Sequence, residues 1–187
     1  MTAPLDEDLV QRVNDVGSST WTGTCYRHVS GRRDPLSGFG ARLIGGRWNQ
    51  PGVSTIYLAH PLGTCLAELD RLAEAQGMTA DDLLRATSGR TLSTIRVDQL
   101  DVLDLRDPQV CARVGLELED ISDDDRTACQ AVSQAADFLQ FGGVLAPSAA
   151  GHGLVLAVFE SRVTPGQLSI ELTEPLTEAC YHDLSGH

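Results

Sequence analysis

Ser54-Thr55-Ile56-Tyr57-Leu58-Ala59-His60-Pro61-Leu62-Gly63-Thr64-Cys65-Leu66-Ala67-Glu68-Leu69, residues 54–69, changes its hydrophobic rhythm halfway along. Ser54 to Ala59 is a short apolar run that predicts a buried strand carrying Tyr57. From Pro61, a residue suited to the first turn of a helix, Leu62, Cys65, Leu66, Leu69, Leu72 and Ala73 fall on one stripe at about 100° per residue. A buried strand feeding an amphipathic helix makes the fold mixed α/β. Glu68 lies on the shoulder of the stripe, where a carboxylate either projects into a cleft or rests in solvent at the helix edge.

Working outward, Leu5, Leu9, Val10, Val13 and Val16 have helical spacing with Gly17 as a stop. Residues 1–20 therefore read as a packing helix and its lead-in, within one domain spanning 1–187. The Gly- and Arg-rich segment Gly31 to Asn49 reads as loop and broken strand. Thr79 followed by Ala80, Asp81 and Asp82 predicts a helix running to about Thr87. Strands are expected at Leu92–Val97, Val102–Leu105, Gly142–Leu145 and Leu154–Phe159, with an edge strand at Gln167–Leu172. The acids Glu117, Glu119, Asp120, Asp123, Asp124 and Asp125 read as a solvated helix start, feeding a helix with Ala128, Val132, Ala135, Ala136 and Leu139 on its apolar face. Gly45-Gly46 lacks the spacing of a dinucleotide fingerprint or a P-loop.

Composition removes several function classes. The 187 residues are 42% hydrophobic, enough for one ordinary core. A net charge of -12 argues against a direct nucleic-acid partner. The 5 cysteines have no metal-type spacing and sit mostly among apolar neighbours, so no metal is expected and a reducing cytoplasm is the expected compartment. The start Met-Thr-Ala-Pro-Leu-Asp-Glu-Asp does not read as a secretory signal, and no run is long enough for a membrane span. Against the acidic background, Arg27, Arg32, Arg33, Arg42 and Arg47 face the single acid Asp34 over residues 27–47, a local cationic stretch suited to an anionic small molecule.

Arg27 and Arg47 are the leading anion contacts, because a guanidinium offers a planar fork of donors and each has an aromatic neighbour, Tyr26 or Trp48. Tyr57 offers a platform or hydrogen-bond donor for a planar ring. Glu68 in a cleft would orient a ribose hydroxyl and stabilise the positive charge of an oxocarbenium-like state. A hydrolase triad has no Gly-x-Ser-x-Gly elbow to supply its serine, although His152 lies between two glycines. The other histidines form no helical metal pair and read as incidental, with His182 and His187 in a terminal segment expected to fray.

With Thr-Cys-Tyr-Arg at 24–27, Gly-Gly-Arg-Trp-Asn at 45–49, Ile-Tyr-Leu-Ala at 56–59, Ala-Glu-Leu at 67–69 and Val-Leu-Ala-Pro-Ser at 144–148, the chain resembles the RES-domain family of bacterial toxins. The resemblance implies an ADP-ribosyltransferase-like fold with split sheets and a central NAD cleft. It implies a toxin that degrades NAD by phosphorolysis, giving nicotinamide and ADP-ribose 1''-phosphate, with NAD and inorganic phosphate as substrates and no cofactor. NAD-dependent protein ADP-ribosyl transfer and NAD glycohydrolysis are the alternatives, with a non-catalytic nucleotide-binding domain behind them. Carried over by position, Arg27 would anchor phosphate groups, Arg47 would be a second phosphate contact, Tyr57 would meet the nicotinamide end, and Glu68 would stabilise the ribosyl transition state. Thr127 aligns with the family serine and Ser148 is its rival. The expected partner is a protein antitoxin with an Xre-like DNA-binding part, forming a hetero-oligomer with the toxin and covering its active-site entrance.

Overall fold

In the computed structural model, which describes residues 5–86 and 89–186, six strands carry the architecture: β1 (Ser19–Ser30), β2 (Thr55–His60), β3 (Arg90–Asp104), β4 (Gly143–Pro147), β5 (Leu154–Phe159) and β6 (Leu168–Pro175). The helices are α1 (Glu7–Val16), α2 (Phe39–Ile44), α3 (Leu62–Ala75), α4 (Ala80–Arg85), α5 (Pro108–Val114), α6 (Leu118–Ser122), α7 (Thr127–Phe138) and α8 (Glu178–Ser185).

The strand order is β1-β2-β5-β4-β3-β6, and β1 also pairs with β3, so the first five strands close into a ring with β6 as an edge on β3. The β3–β4 pair is parallel and the others are antiparallel. Period-two alternation fills the ring: Cys25, Ile56, Leu58, Ile95, Val97, Leu145 and Leu156 meet inside it. On the outer faces, Leu9, Val13, Val132 and Phe159 join α1 and α7 to the sheet, and Leu66, Leu69, Leu83 and Leu92 join α3 and α4 to it. Deleting a side chain as buried as Leu69 would cost about 2–5 kcal/mol.

The ring has one thin seam. Strands β1 and β3 pair from Ser19↔Val102 to Ser30↔Arg90, whereas β1 and β2 share only the pair Tyr26↔Ala59 among the described residues. Beyond that pair the two strands part, and the gap exposes Arg27 on one side and Tyr57 on the other.

Several expectations are corrected by tertiary packing. The strands expected at 92–97 and 102–105 are one strand, because β1 pairs along both halves; Gln99, at φ 48°, marks the irregularity between them, and its N–H is satisfied by Thr22 Oγ1 at 2.9 Å. The expected loop at 31–49 contains α2, which buries none of its own residues and therefore carries no amphipathic signal. Pro61 is the residue before α3, and that helix begins at Leu62. Helices α5 and α8 were not expected; Asp107 and Thr177 cap them, each accepting a backbone N–H. Helix α4 ends at Arg85, and the expected boundary at Thr87 lies outside the described residues. His182 belongs to α8 and contacts Asp81 at 3.0 Å, so the expected fraying does not extend to it; His187 lies outside the described residues.

Candidate active site

The seam between β1 and β2 opens into a cleft of about 1090 Å³. Strand β1 supplies Arg27 and His28, β2 supplies Tyr57, and α3, packed across both strands, supplies Glu68 and Arg71. The loop before α2 adds Arg33, the turn after α2 adds Arg47, and the start of α7 adds Arg126. With Arg90 from β3, six arginines line one concavity, with Asp34, Glu68 and Asp124 as its carboxylates.

Glu68 is half-buried, and its Oε1 accepts a hydrogen bond of 2.7 Å from the Ser148 hydroxyl. Ser148 is buried directly after β4; its oxygen accepts the Ala150 N–H at 3.0 Å, and its own N–H donates to Gly153 O at 2.9 Å. The strand thereby hands a fixed hydroxyl to a carboxylate on the neighbouring helix, leaving Glu68 Oε2 with no hydrogen bond to any described residue. Thr127 is exposed at the first position of α7, its N–H held by Asp125 Oδ1 at 2.9 Å, and it does not line the cleft. Of the two hydroxyls considered for the family serine, Ser148 is therefore the one that touches Glu68.

Arg27 Nη1 donates to the carbonyls of Pro35 at 2.6 Å and Ser37 at 3.1 Å, fixing the loop that leads to α2. Arg47 donates to Asp120 O at 3.1 Å and Asp123 O at 2.7 Å, drawing the acidic segment around α6 against the cleft. That segment was expected to be a solvated helix start; its side chains are largely exposed, and its backbone also buttresses Arg47. Arg90 donates through Nε and Nη2 to His28 Nδ1, at 3.2 and 2.8 Å. Burial, then the charges of Arg90 and Arg27, pull the His28 imidazole down to about 3, so it accepts these bonds as a neutral ring. His28 thus has a positioning role that its place in the sequence did not announce.

Carbonyls and a neutral imidazole orient a guanidinium without cancelling its charge. Outside the cleft, Arg85, Arg106 and Arg162 are instead held by the Glu178, Asp104 and Asp137 carboxylates, while Arg113 donates to Asp15 O at 3.0 Å. Of the five arginines in the cationic stretch, Arg27, Arg33 and Arg47 reach the cleft, whereas Arg32 and Arg42 do not line it.

Tyr57 has its hydroxyl engaged, accepting from Trp48 N–H and donating to Asn49 Oδ1, each at 2.8 Å. Burial raises its phenol above the ordinary value. A donor role toward a ligand is therefore closed, and the ring face is what Tyr57 offers. Asn49 in turn donates to the carbonyls of Ala41, Gln50 and Val53, each at 3.0 Å. Gly46 lies so near the Tyr57 hydroxyl that a Cβ would collide with it, and Gly45 takes φ 74° at the end of α2. Those requirements account for the paired glycines in Gly-Gly-Arg-Trp-Asn.

Cys65 also lines the cleft, but burial pushes its thiol up to about 12, so it is not a thiolate nucleophile. His152 is exposed and outside the lining, and its carbonyl accepts from Thr64 Oγ1 at 3.0 Å. Among the described residues no group of acids, histidines and cysteines is arranged to hold a metal, and no helix is long and apolar enough to cross a membrane.

The RES domain family model matches residues 24–177, which contain every cleft residue named above. The chain is 48% identical over 185 residues to the NAD(+) phosphorylase MbcT of Mycobacterium bovis and to that of Mycobacterium tuberculosis, covering 98% of each protein and of itself. Its fold is also similar to the crystal structure of the M. tuberculosis MbcT-MbcA toxin-antitoxin complex, with a TM-score of 0.91 at 46% identity, covering 98% of this chain and 100% of that one. Sequence and overall fold are thus matched over nearly the full length, and the chain belongs to the RES-domain family.

Proposed function

We propose that the protein is an NAD phosphorylase that cleaves the nicotinamide-ribose bond with inorganic phosphate and acts as the toxin of a toxin-antitoxin pair. The observation that carries this reading is the cleft's excess of arginines over acids, with Arg27, Arg47 and Arg90 held by neutral acceptors beside the oriented Glu68 carboxylate. NAD and phosphate are both anions, so this arrangement favours their joint entry. The relatives' name, NAD(+) phosphorylase, points the same way.

Arg27 and Arg47 keep donors beyond those bound to carbonyls, and these face the phosphate groups. The Tyr57 ring packs against the nicotinamide end. Glu68 stabilises positive charge developing on the ribose as the C–N bond breaks, while Ser148 holds the carboxylate in place. The electron pair of that bond goes to the nicotinamide ring nitrogen, so nicotinamide leaves neutral and needs no general acid. A phosphate oxygen bonds to the anomeric carbon, giving ADP-ribose 1''-phosphate. The ADP-ribosyltransferase-like character of the cleft belongs to this reading: the near-separation of β1 and β2 supplies the opening such a site requires.

The partner is an antitoxin with an Xre-like DNA-binding part, acting in the cytoplasm. Phe39, Leu43 and Ile44 on α2 are exposed at the cleft rim and offer it an apolar footing. A Glu68→Gln variant tests the chemistry, with NAD consumption expected to fall about 100-fold or more. Consumption at the wild-type rate would exclude Glu68 from the reaction. Labelled NAD incubated with lysate distinguishes protein ADP-ribosylation, which would label a protein band.

A further inference from the structure

We infer that Arg71 binds the incoming inorganic phosphate and so sets the preference for phosphate over water, an inference that rests on the phosphorylase reading. Arg27, Arg47 and Arg90 each have guanidinium donors bound to protein acceptors. Arg33 and Arg126 are exposed where they line the cleft. Arg71 is the half-buried arginine of the lining whose guanidinium has no hydrogen bond or ion pair with any described residue. A partly desolvated guanidinium with all its donors free is poised for an anion.

Its position selects which anion. Arg71 follows Glu68 by three residues on α3, so the two side chains rise from the same face of the helix, with Cβ atoms about 5–6 Å apart. The nucleophile must reach the anomeric carbon whose charge Glu68 stabilises, and a phosphate dianion beside a carboxylate is repelled unless a cation lies between or next to them. Arg71 is placed to supply that cation. Water needs no such neutralisation, so the residue discriminates between the two nucleophiles. Arg33 and Arg126, on the loop before α2 and at the start of α7, join Arg27 and Arg47 as cations for the pyrophosphate of NAD.

The test is steady-state kinetics of the full chain, wild type against Arg71→Ala and Arg71→Lys, with phosphate varied at saturating NAD and NAD varied at saturating phosphate. Arg71→Ala is expected to raise the KM for phosphate about tenfold or more, the loss expected for a charge-assisted hydrogen bond. The KM for NAD should stay within about twofold of wild type, and Arg71→Lys should fall between the two proteins. Products should shift from ADP-ribose 1''-phosphate toward ADP-ribose. The NAD KM also reports that the variant's cleft is folded. An unchanged phosphate KM in Arg71→Ala, or a rise confined to the NAD KM, would overturn the assignment of Arg71 while leaving phosphorolysis standing. Wild-type NAD loss that ignores phosphate would overturn both.

Discussion

Ser148 reaches Glu68 and Thr127 does not, and two hydroxyl deletions turn that difference into a measurement. Ser148→Ala frees Glu68 Oε1 from its buried donor, and kcat is expected to fall about tenfold with little change in the KM for NAD. Thr127→Ala is expected to cost less; the reverse order would restore Thr127 as the working hydroxyl. His28 makes a pH prediction. Its folded value, about 3, lies below the ordinary 6.5, so the unfolded chain takes up the proton first as pH falls. The stability it contributes is complete above 6.5 and is lost as pH drops toward 3, by about 2 kcal/mol near pH 5. Thermal melts at pH 7 and pH 5 should therefore show a larger fall in Tm for wild type than for His28→Gln; equal falls would contradict a neutral buried imidazole. The place of Arg27, Tyr57 and Glu68 in the cleft was legible in the sequence, because motif singled out all three and charge the first and last. That of His28 and Arg71 was not, since it depends on which elements become neighbours in the fold.

At the scale of the element, periodicity found the segments with one well-buried face. Strand β5 matches its expected span of Leu154–Phe159, and α3 and α7 carry the apolar stripes expected of them, with Cys129 buried in α7 where Ala128 is exposed. It failed for α2, whose six residues leave Phe39, Leu43 and Ile44 in solvent, a pattern that resembles a loop until an occupant is supplied. If the antitoxin rests there, Leu43→Asp weakens the complex about tenfold or more, since it places a charge in a desolvated contact. Leu43 does not line the cleft, so NAD consumption by the free toxin should be unchanged. Titration calorimetry against the cognate antitoxin checks this, and an undiminished affinity would move the interface elsewhere. The acidic segment at 117–125 shows the opposite limit of sequence reading. Its side chains look like simple solvation, yet the carbonyls of Asp120 and Asp123 hold Arg47, a use of the backbone that side-chain identity does not encode.

For the molecule as a whole, a chain of net charge -12 concentrates six arginines around one cleft against three carboxylates, leaving an excess of positive charge there. The mixed α/β class and a cationic site were legible from composition and spacing. The closed ring of five strands was not, because closure depends on β1 pairing with β3 across a long sequence separation. That ring explains how the site is held: β1 is anchored along its length by β3 and left nearly free of β2, so the opening stays fixed without a mobile domain. Phosphorolysis is tested most directly by phosphorus NMR of NAD incubated with the purified protein, with and without inorganic phosphate. It predicts rapid NAD loss only when phosphate is present, with a new phosphomonoester resonance from ADP-ribose 1''-phosphate; equal NAD loss without phosphate, yielding ADP-ribose alone, would contradict it.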